Sequence, residues 1–419
     1  MEQNQFVEIG RNMEKTNKIN AEMLTGLLLE MNLPASFIKK EISPTNELYH
    51  FDLHKPLDYG KVGKVTKCLA AAIHKKAKNT DSDIASFCLS IPRDERAFPA
   101  FKEYHNVLKG AQAGEILFGI NERGKPVTKN IRKTKSILIG GASGGGKSVY
   151  LSGIIASLLC YSKPEECGLA LIDLKRCEFE LFKNSKHLVA PVQFDYEGAF
   201  DLICEVKREI EDRYISMQEE GIRKAEVDKY PILILVIDEY AELARQSDKK
   251  ELEDMISSIA STGRACNVFV ILATQHAVSS IVSNAIKSNL QTRIGLRTTN
   301  IAQSACIIGS KDCNDLLGYG DSYILFDGAP GLERVQGCFI SEDEINLILA
   351  EANKTAKQAQ ASETKTKTRT KSPFLSGLKR LFGKVDKLQG KAPKRGLKPF
   401  KTQELNYIDC CIDDDLNLE

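Results

Sequence analysis

The sequence predicts an α/β protein built on a mainly parallel sheet, with a small α+β domain before it and a disordered charged tail after it. Three observations carry that expectation. Six short apolar runs (Ser136–Gly140, Gly168–Leu174, Ile232–Ile237, Val268–Ala273, Thr292–Leu296 and Ser322–Phe326) alternate with helical stretches, the texture of strands buried on both faces of a sheet. A glycine-rich segment ending in Lys147-Ser148 joins the first of these runs to a helix. From Lys354 onward the composition turns basic and then acidic.

Composition sets the outer limits. The 419 residues are 42% apolar and 27% charged, ordinary globular usage that excludes a collagenous, wholly disordered or disulfide-stapled chain. The longest near-apolar stretches, such as Leu151–Tyr161 and Pro231–Ile237, fall well short of the roughly twenty residues a membrane helix needs. The start, MEQNQFVEIGRNMEK, lacks the basic and apolar regions of a signal peptide. The twelve cysteines include no CxxC pair. They read as reduced thiols, which places the chain in the cytoplasm.

The net charge of +2 hides a polarity along the chain. Residues 354–401 carry fifteen Lys/Arg against Glu363 and Asp386, a net of +13. Residues 402–419 carry six acids and no base. The body before them is mildly acidic, at −5. The basic segment has few apolar residues and no sustained periodicity, so 354–419 reads as a disordered tail, basic then acidic. Such a segment either solubilises the chain or grips phosphates without regard to sequence.

Taken in order, residues 1–34 form an N-terminal helical extension around the amphipathic Ala21–Met31. Residues 35–130 form the small α+β domain. In it Glu47–Leu53 and Ile84–Ile91 read as strands, and Val62, Val65, Leu69 and Ile73 mark one helix face. Glu115–Gly119 and Pro126–Lys129 flank Asn121-Glu122-Arg123-Gly124, a hairpin signal. Residues 131–353 form the main domain. Two of its helices show core-packing stripes, one through Ala199, Leu202, Ile203, Val206, Ile210, Tyr214 and Met217, the other through Leu252, Met255, Ile256 and Ile259.

The chemistry begins at Gly141-Ala142-Ser143-Gly144-Gly145-Gly146-Lys147-Ser148, which is G-x-x-x-x-G-K-S between a strand and a helix. Glycines there let backbone N–H groups turn inward around a phosphate chain, and the helix start adds positive potential. Lys147 is expected to reach the β- and γ-phosphates of ATP, and the Ser148 hydroxyl to ligate Mg2+. Ile232–Ile237 then runs into Asp238-Glu239. Asp238 is the expected second Mg2+ residue and Glu239 the general base for an attacking water. A second acid at this place points to hydrolysis. Gln275, after the run Val268–Ala273 and Thr274, stands where a polar side chain senses the γ-phosphate.

With those motifs in place, the chain resembles the FtsK/SpoIIIE family of DNA-translocating ATPases, within the HerA/FtsK group. The segments that carry the resemblance run from GGASGGGKS (140–148) through LIDLKRCEFELF (171–182), HLVAPVQFD (187–195) and EIEDRYISM (209–217). They continue with ILVIDEYAEL (234–243), GRACNVFVILATQ (263–275), LLGYGDSYILF (316–326) and RVQGCFISEDEI (334–345). The resemblance implies a RecA-like motor domain in a hexameric ring, with ATP between protomers and double-stranded DNA in the pore. It implies that Arg264 acts in trans as an arginine finger and that Lys287 faces DNA. Arg293 and Arg297 stay open between pore, interface and neither.

The sequence also departs from the family. His276 stands where an arginine usually follows ATQ, which alters the expected DNA contact. Ser304-Ala305 replaces a Ser-Arg pair. The membrane-spanning N-terminus and winged-helix module of the cell-division members are missing, so the resemblance favours a soluble relative on a plasmid, integrative element or phage. Such a relative would work with a membrane or relaxosome partner encoded elsewhere. Two other readings use the same motifs: a protein-secretion ATPase of the EssC kind, and a coupling protein in which ATP only controls assembly.

Overall fold

The computed structural model describes residues 19–83, 85–245 and 249–363, and the readings made for 1–18 and 364–419 lie outside these. Asn20 caps the first helix, α1 (Ala21–Glu30), by accepting from the Met23 N–H, a role short polar side chains fill well. β1 (Ala35–Ile42), β2 (Asn46–Leu53), α2 (Val62–Ala72), β3 (Lys78–Asp83) and β4 (Ser86–Pro92) follow. The four strands pair antiparallel in the order β1-β2-β4-β3. Leu24 and Leu28 of α1 and Leu69 of α2 share one buried cluster with Phe51, Phe87 and Leu89 of the sheet. The helix assigned to an N-terminal extension is therefore part of this small core.

Among the described residues, the second sheet has nine strands. Its parallel half is β11 (Thr292–Leu296), β7 (Ile137–Gly140), β10 (Val268–Thr274), β9 (Ile232–Ile237) and β8 (Cys167–Ile172). Beyond β11 the sheet continues antiparallel through β12 (Asp321–Leu325), β13 (Glu333–Gln336), β5 (Glu115–Asn121) and β6 (Pro126–Asn130). The run at Ser322–Phe326 is thus a strand, but antiparallel to its neighbour. An apolar run reports burial on both faces, not direction. The hairpin β5–β6, which the sequence places in the small domain, belongs to the large sheet. Its turn still touches the small domain, because Glu122 accepts from Asn46 and Ser90 there and from Arg334 of β13.

Strand residues alternate between the two faces, as a two-residue period requires. Ile232, Ile234 and Val236 join the core beneath α3 (Lys147–Tyr161), while Leu233, Leu235 and Ile237 join the core beneath α4 (Tyr196–Glu219) and α5 (Lys249–Thr262). α3 is buried all round, through Tyr150, Leu151, Ile154, Ile155, Leu158 and Leu159, as suits a helix covered on every side. The buried Arg213 guanidinium of α4 donates to the carbonyls of Pro231 (2.7 Å) and Cys266 (2.6 Å), tying that helix to the entries of β9 and β10.

The last helix among the described residues, α6, spans Glu342–Glu363. Residues 354–363, assigned from composition to the disordered tail, continue it. Their Ala, Lys, Gln and Glu content favours helix once a preceding turn has nucleated it. Among the described residues, no helix is long and apolar enough to cross a membrane.

Candidate functional site

Five parallel strands end at one edge of the large sheet, where the chain must leave each strand through a loop. Gly140 of β7 is level with Thr274 of β10 and Gly295 of β11, and Ile237 of β9 pairs with Ile172 of β8 and Leu272 of β10. Such an edge collects loop residues from segments far apart in sequence.

Between β7 and α3 the loop 141–146 is held by its own and neighbouring backbone. Gly141 N–H donates to the Thr274 carbonyl (3.3 Å), Ala142 N–H to the Arg297 carbonyl (2.8 Å) and Gly145 N–H to the Ala142 carbonyl (3.0 Å). Ser143 and Gly144 form its exposed crest. Gly144 (φ 77°) and Gly146 (φ 95°) adopt left-handed backbone that other residues resist. A Cβ on Gly146 would also meet the Gly320 nitrogen at 2.4 Å. This nitrogen donates to the Gly145 carbonyl (2.8 Å), so the turn 318–320 buttresses the loop from behind.

Lys147 and Ser148 open α3. Lys147 is buried, with Nζ 2.6 Å from Asp238 Oδ1 and 2.8 Å from the Asp238 carbonyl. Ser148 Oγ donates to Glu178 Oε1. Burial pushes the Asp238 carboxyl up from its ordinary value; Lys147 opposes this, and the nearby Asp173 and Glu239 charges add to it. Burial likewise raises Glu178, with Ser148 and Lys147 opposing and Asp238 and Asp173 reinforcing.

Glu239 is buried and held at several points. Oε1 accepts from the Thr274 hydroxyl (2.8 Å) and the Gln275 N–H (3.1 Å), and Lys175 Nζ lies 3.3 Å from Oε2. The sequence-predicted residues Lys147, Ser148, Asp238, Glu239 and Gln275 therefore come together around the loop. Gln275 contributes its backbone N–H to that cluster.

The other expected residues lie elsewhere. His276 is exposed just beyond the loop edge. Arg264 is exposed on the single turn that enters β10, at the opposite end of that seven-residue strand from Thr274. At about 3.3 Å per residue, this puts its backbone roughly 20 Å from the loop edge. Lys287 lies on the short helix Asn284–Asn289 that leads into β11, and its carbonyl accepts from Arg293 Nη2 (2.7 Å). His276 follows β10 and Lys287 precedes β11, at opposite ends of two parallel strands that β7 separates, and they form no joint patch within one chain. Arg297 is exposed beside the loop, with Ala142 bonded to its carbonyl.

Sequence reasoning missed an apolar cavity of about 420 Å³ beside the loop, lined by Phe98, Val149, Tyr150, Tyr319, Cys338 and Phe339, with Gly146 at its edge. Arg96 fixes one wall by donating to the Gly318 carbonyl and to Gln336 Oε1, both at 3.1 Å, while stacking over Phe98 at 5.0 Å. Lys175, Glu178 and Thr274 were also missed as site residues, although Lys175 and Glu178 stand in the quoted segment LIDLKRCEFELF.

The donor set fits a hydrated divalent cation: the Ser148 hydroxyl meets the Glu178 carboxylate, Asp238 acts on Glu178 electrostatically, and the fully buried Asp173 has an Oδ1 without a hydrogen-bond partner among the described residues. Hard oxygen ligands of this kind suit Mg2+.

Residues 106–230 match the model of the FtsK/SpoIIIE family. This span contains the glycine-rich loop and stops short of Asp238. Among curated proteins, the chain is similar to the DNA translocase FtsK of Halalkalibacterium halodurans, 29% identical over 355 residues, covering 79% of this chain and 44% of that protein. It is similar to the DNA translocase SpoIIIE of Bacillus subtilis, 27% identical over 363 residues, covering 81% of this chain and 46% of that protein. The chain spans under half the length of both. Among solved structures, it is similar to the pCW3 conjugation coupling protein TcpA, with a TM-score of 0.57 and 18% identity, covering 79% of this chain and 98% of that one. The cytoplasmic domain of the Thermomonospora curvata type VII secretion ATPase EccC aligns with a TM-score of 0.50 and 22% identity, covering 57% of this chain and 31% of that one. At these identities the structural likeness speaks to fold alone.

Proposed function

We propose, for a chain that carries an FtsK/SpoIIIE-family domain, an ATP-hydrolysing motor that moves double-stranded DNA. The observation that carries this reading is the meeting of the loop 141–148 with Asp238 and Glu239 at the ends of β7 and β9. We assign the motor to residues 131–353 together with the hairpin 115–130.

Backbone N–H groups of 141–146 wrap the phosphates of ATP, and Lys147 turns from Asp238 to the β/γ-phosphates. Ser148 and Asp238 would hold Mg2+, which neutralises phosphate charge when bound. Glu239 takes the proton of the attacking water; its tie to the Gln275 N–H and Thr274 hydroxyl fixes its direction. The cavity beside Gly146 takes the nucleobase between aromatic faces.

We read the assembly as a ring, expected to be a hexamer, and Arg264 supports that reading. Its distance from its own loop supports a role at the site of a neighbouring protomer, where it stabilises transition-state charge. The basic segment 354–401 supports a sequence-independent grip on phosphates. We place the motor in the transfer of a plasmid, integrative element or phage genome. A protein-secretion ATPase would share the nucleotide site. Turnover measured with and without long duplex DNA tests the proposal: DNA stimulates a DNA motor, and turnover indifferent to DNA would favour secretion.

A further inference from the structure

Glu178 lies on the turn after β8, and its environment is built rather than incidental. Asp173 Oδ2 accepts both the Glu178 N–H (2.8 Å) and the Phe179 N–H (2.9 Å). The Phe179 ring is fully buried, which anchors the turn from the other side. The carboxylate so placed takes the hydrogen bond of Ser148 Oγ. Asp238, the other expected Mg2+ residue, is occupied by Lys147.

Charge gives a second reason to single it out. Asp173, Glu178 and Asp238 act on one another electrostatically, with Lys147 as the opposing charge. Lys175 is engaged with Glu239. Once Lys147 faces phosphate, this group of carboxylates needs another cation.

We propose that Glu178 is a positioning residue for the metal-binding hydroxyl of Ser148. By accepting the Ser148 proton in a hydrogen bond, it turns an oxygen lone pair toward the Mg2+ that accompanies the nucleotide, and its charge helps retain the ion. This rests on the phosphate-site reading above. Partners that orient a ligand in this way typically change metal affinity by about 10–100-fold when removed.

The test uses the full-length chain and ADP carrying a fluorescent ribose label, titrated with Mg2+ and, separately, with EDTA present. Glu178→Ala is expected to need about 10–100-fold more Mg2+ for half-maximal tightening of nucleotide binding, while affinity in EDTA stays at the parent value. Glu178→Gln keeps an acceptor oxygen but loses the charge, and should fall between the two. A purely structural tie would instead lower melting temperature and EDTA affinity together, leaving the Mg2+ midpoint in place, and would overturn the proposal. An unchanged Mg2+ midpoint in a well-folded Glu178→Ala overturns this proposal alone. Failure of the parent to bind the nucleotide at all overturns the phosphate-site reading as well.

Discussion

Lys147 and Asp238 form a buried ion pair, Nζ to Oδ1 2.6 Å, across the gap between the glycine-rich loop and the end of β9. Each charge makes the other tolerable at that depth, and either alone is costly. On the proposed function, the pair holds in mutually neutralised form the two groups a nucleotide needs, and incoming phosphate would compete with Asp238 for the ammonium and free the carboxylate.

Lys147→Met is thus expected to lose hydrolysis and, by stranding Asp238, to lower unfolding free energy by about 3 kcal/mol. Adding Asp238→Asn should recover most of that stability without recovering turnover. Denaturant unfolding of the two variants checks this. A double variant no more stable than the single one would mean that the stranded carboxylate is not what destabilises the single variant.

Glu239→Gln keeps the size of the side chain and its acceptor for the Thr274 hydroxyl. It should bind ATP like the parent and hydrolyse it about a hundredfold to ten-thousandfold more slowly. Single-turnover phosphate release measures this directly, and a normal rate would assign water activation to another residue.

Arg264→Ala should be inactive alone, because the arginine enters β10 at the far end from its own loop. Mixed with inactive Glu239→Gln subunits, it should regain part of the activity, since some interfaces then pair an intact base with an intact arginine. No recovery in verified mixed rings would remove the trans role.

His187 gives a pH signature independent of the site. It is buried, Nε2 meets the Ser162 carbonyl at 2.9 Å, and burial holds its pKa below the usual imidazole value. The unfolded chain then binds the proton more readily, so the stability His187 confers is present above about pH 6.5 and lost as pH falls through the folded-state value. Melting temperature should drop with acidification below about pH 6.5, and His187→Gln should flatten part of that drop. An identical slope in the variant would assign the acid sensitivity to other groups.

The parts of the site that were legible are those whose chemistry fixes residue type at short range. Gly144 and Gly146 need left-handed backbone, Lys147-Ser148 must follow at once, and Asp238-Glu239 closes an apolar strand. The neighbours that hold them were not legible. Thr274 reaches Glu239 from the next strand, and Lys175 and Glu178 arrive from the turn after β8. The aromatic cavity draws Phe98, Tyr319 and Phe339 from three separate segments, which no local spacing links. Sheet membership failed at the hairpin β5–β6 for a related reason. Alternation and a turn signal define a hairpin, while its neighbour is set by pairing with β13, over two hundred residues away.

The central claim, movement along duplex DNA driven by ATP, is tested most directly by displacement of a third strand bound at a set distance along a linear duplex. The full-length chain with ATP should release the third strand after a lag that lengthens in proportion to that distance, and Glu239→Gln should release none. DNA-stimulated ATP hydrolysis with no displacement at any distance would contradict the account.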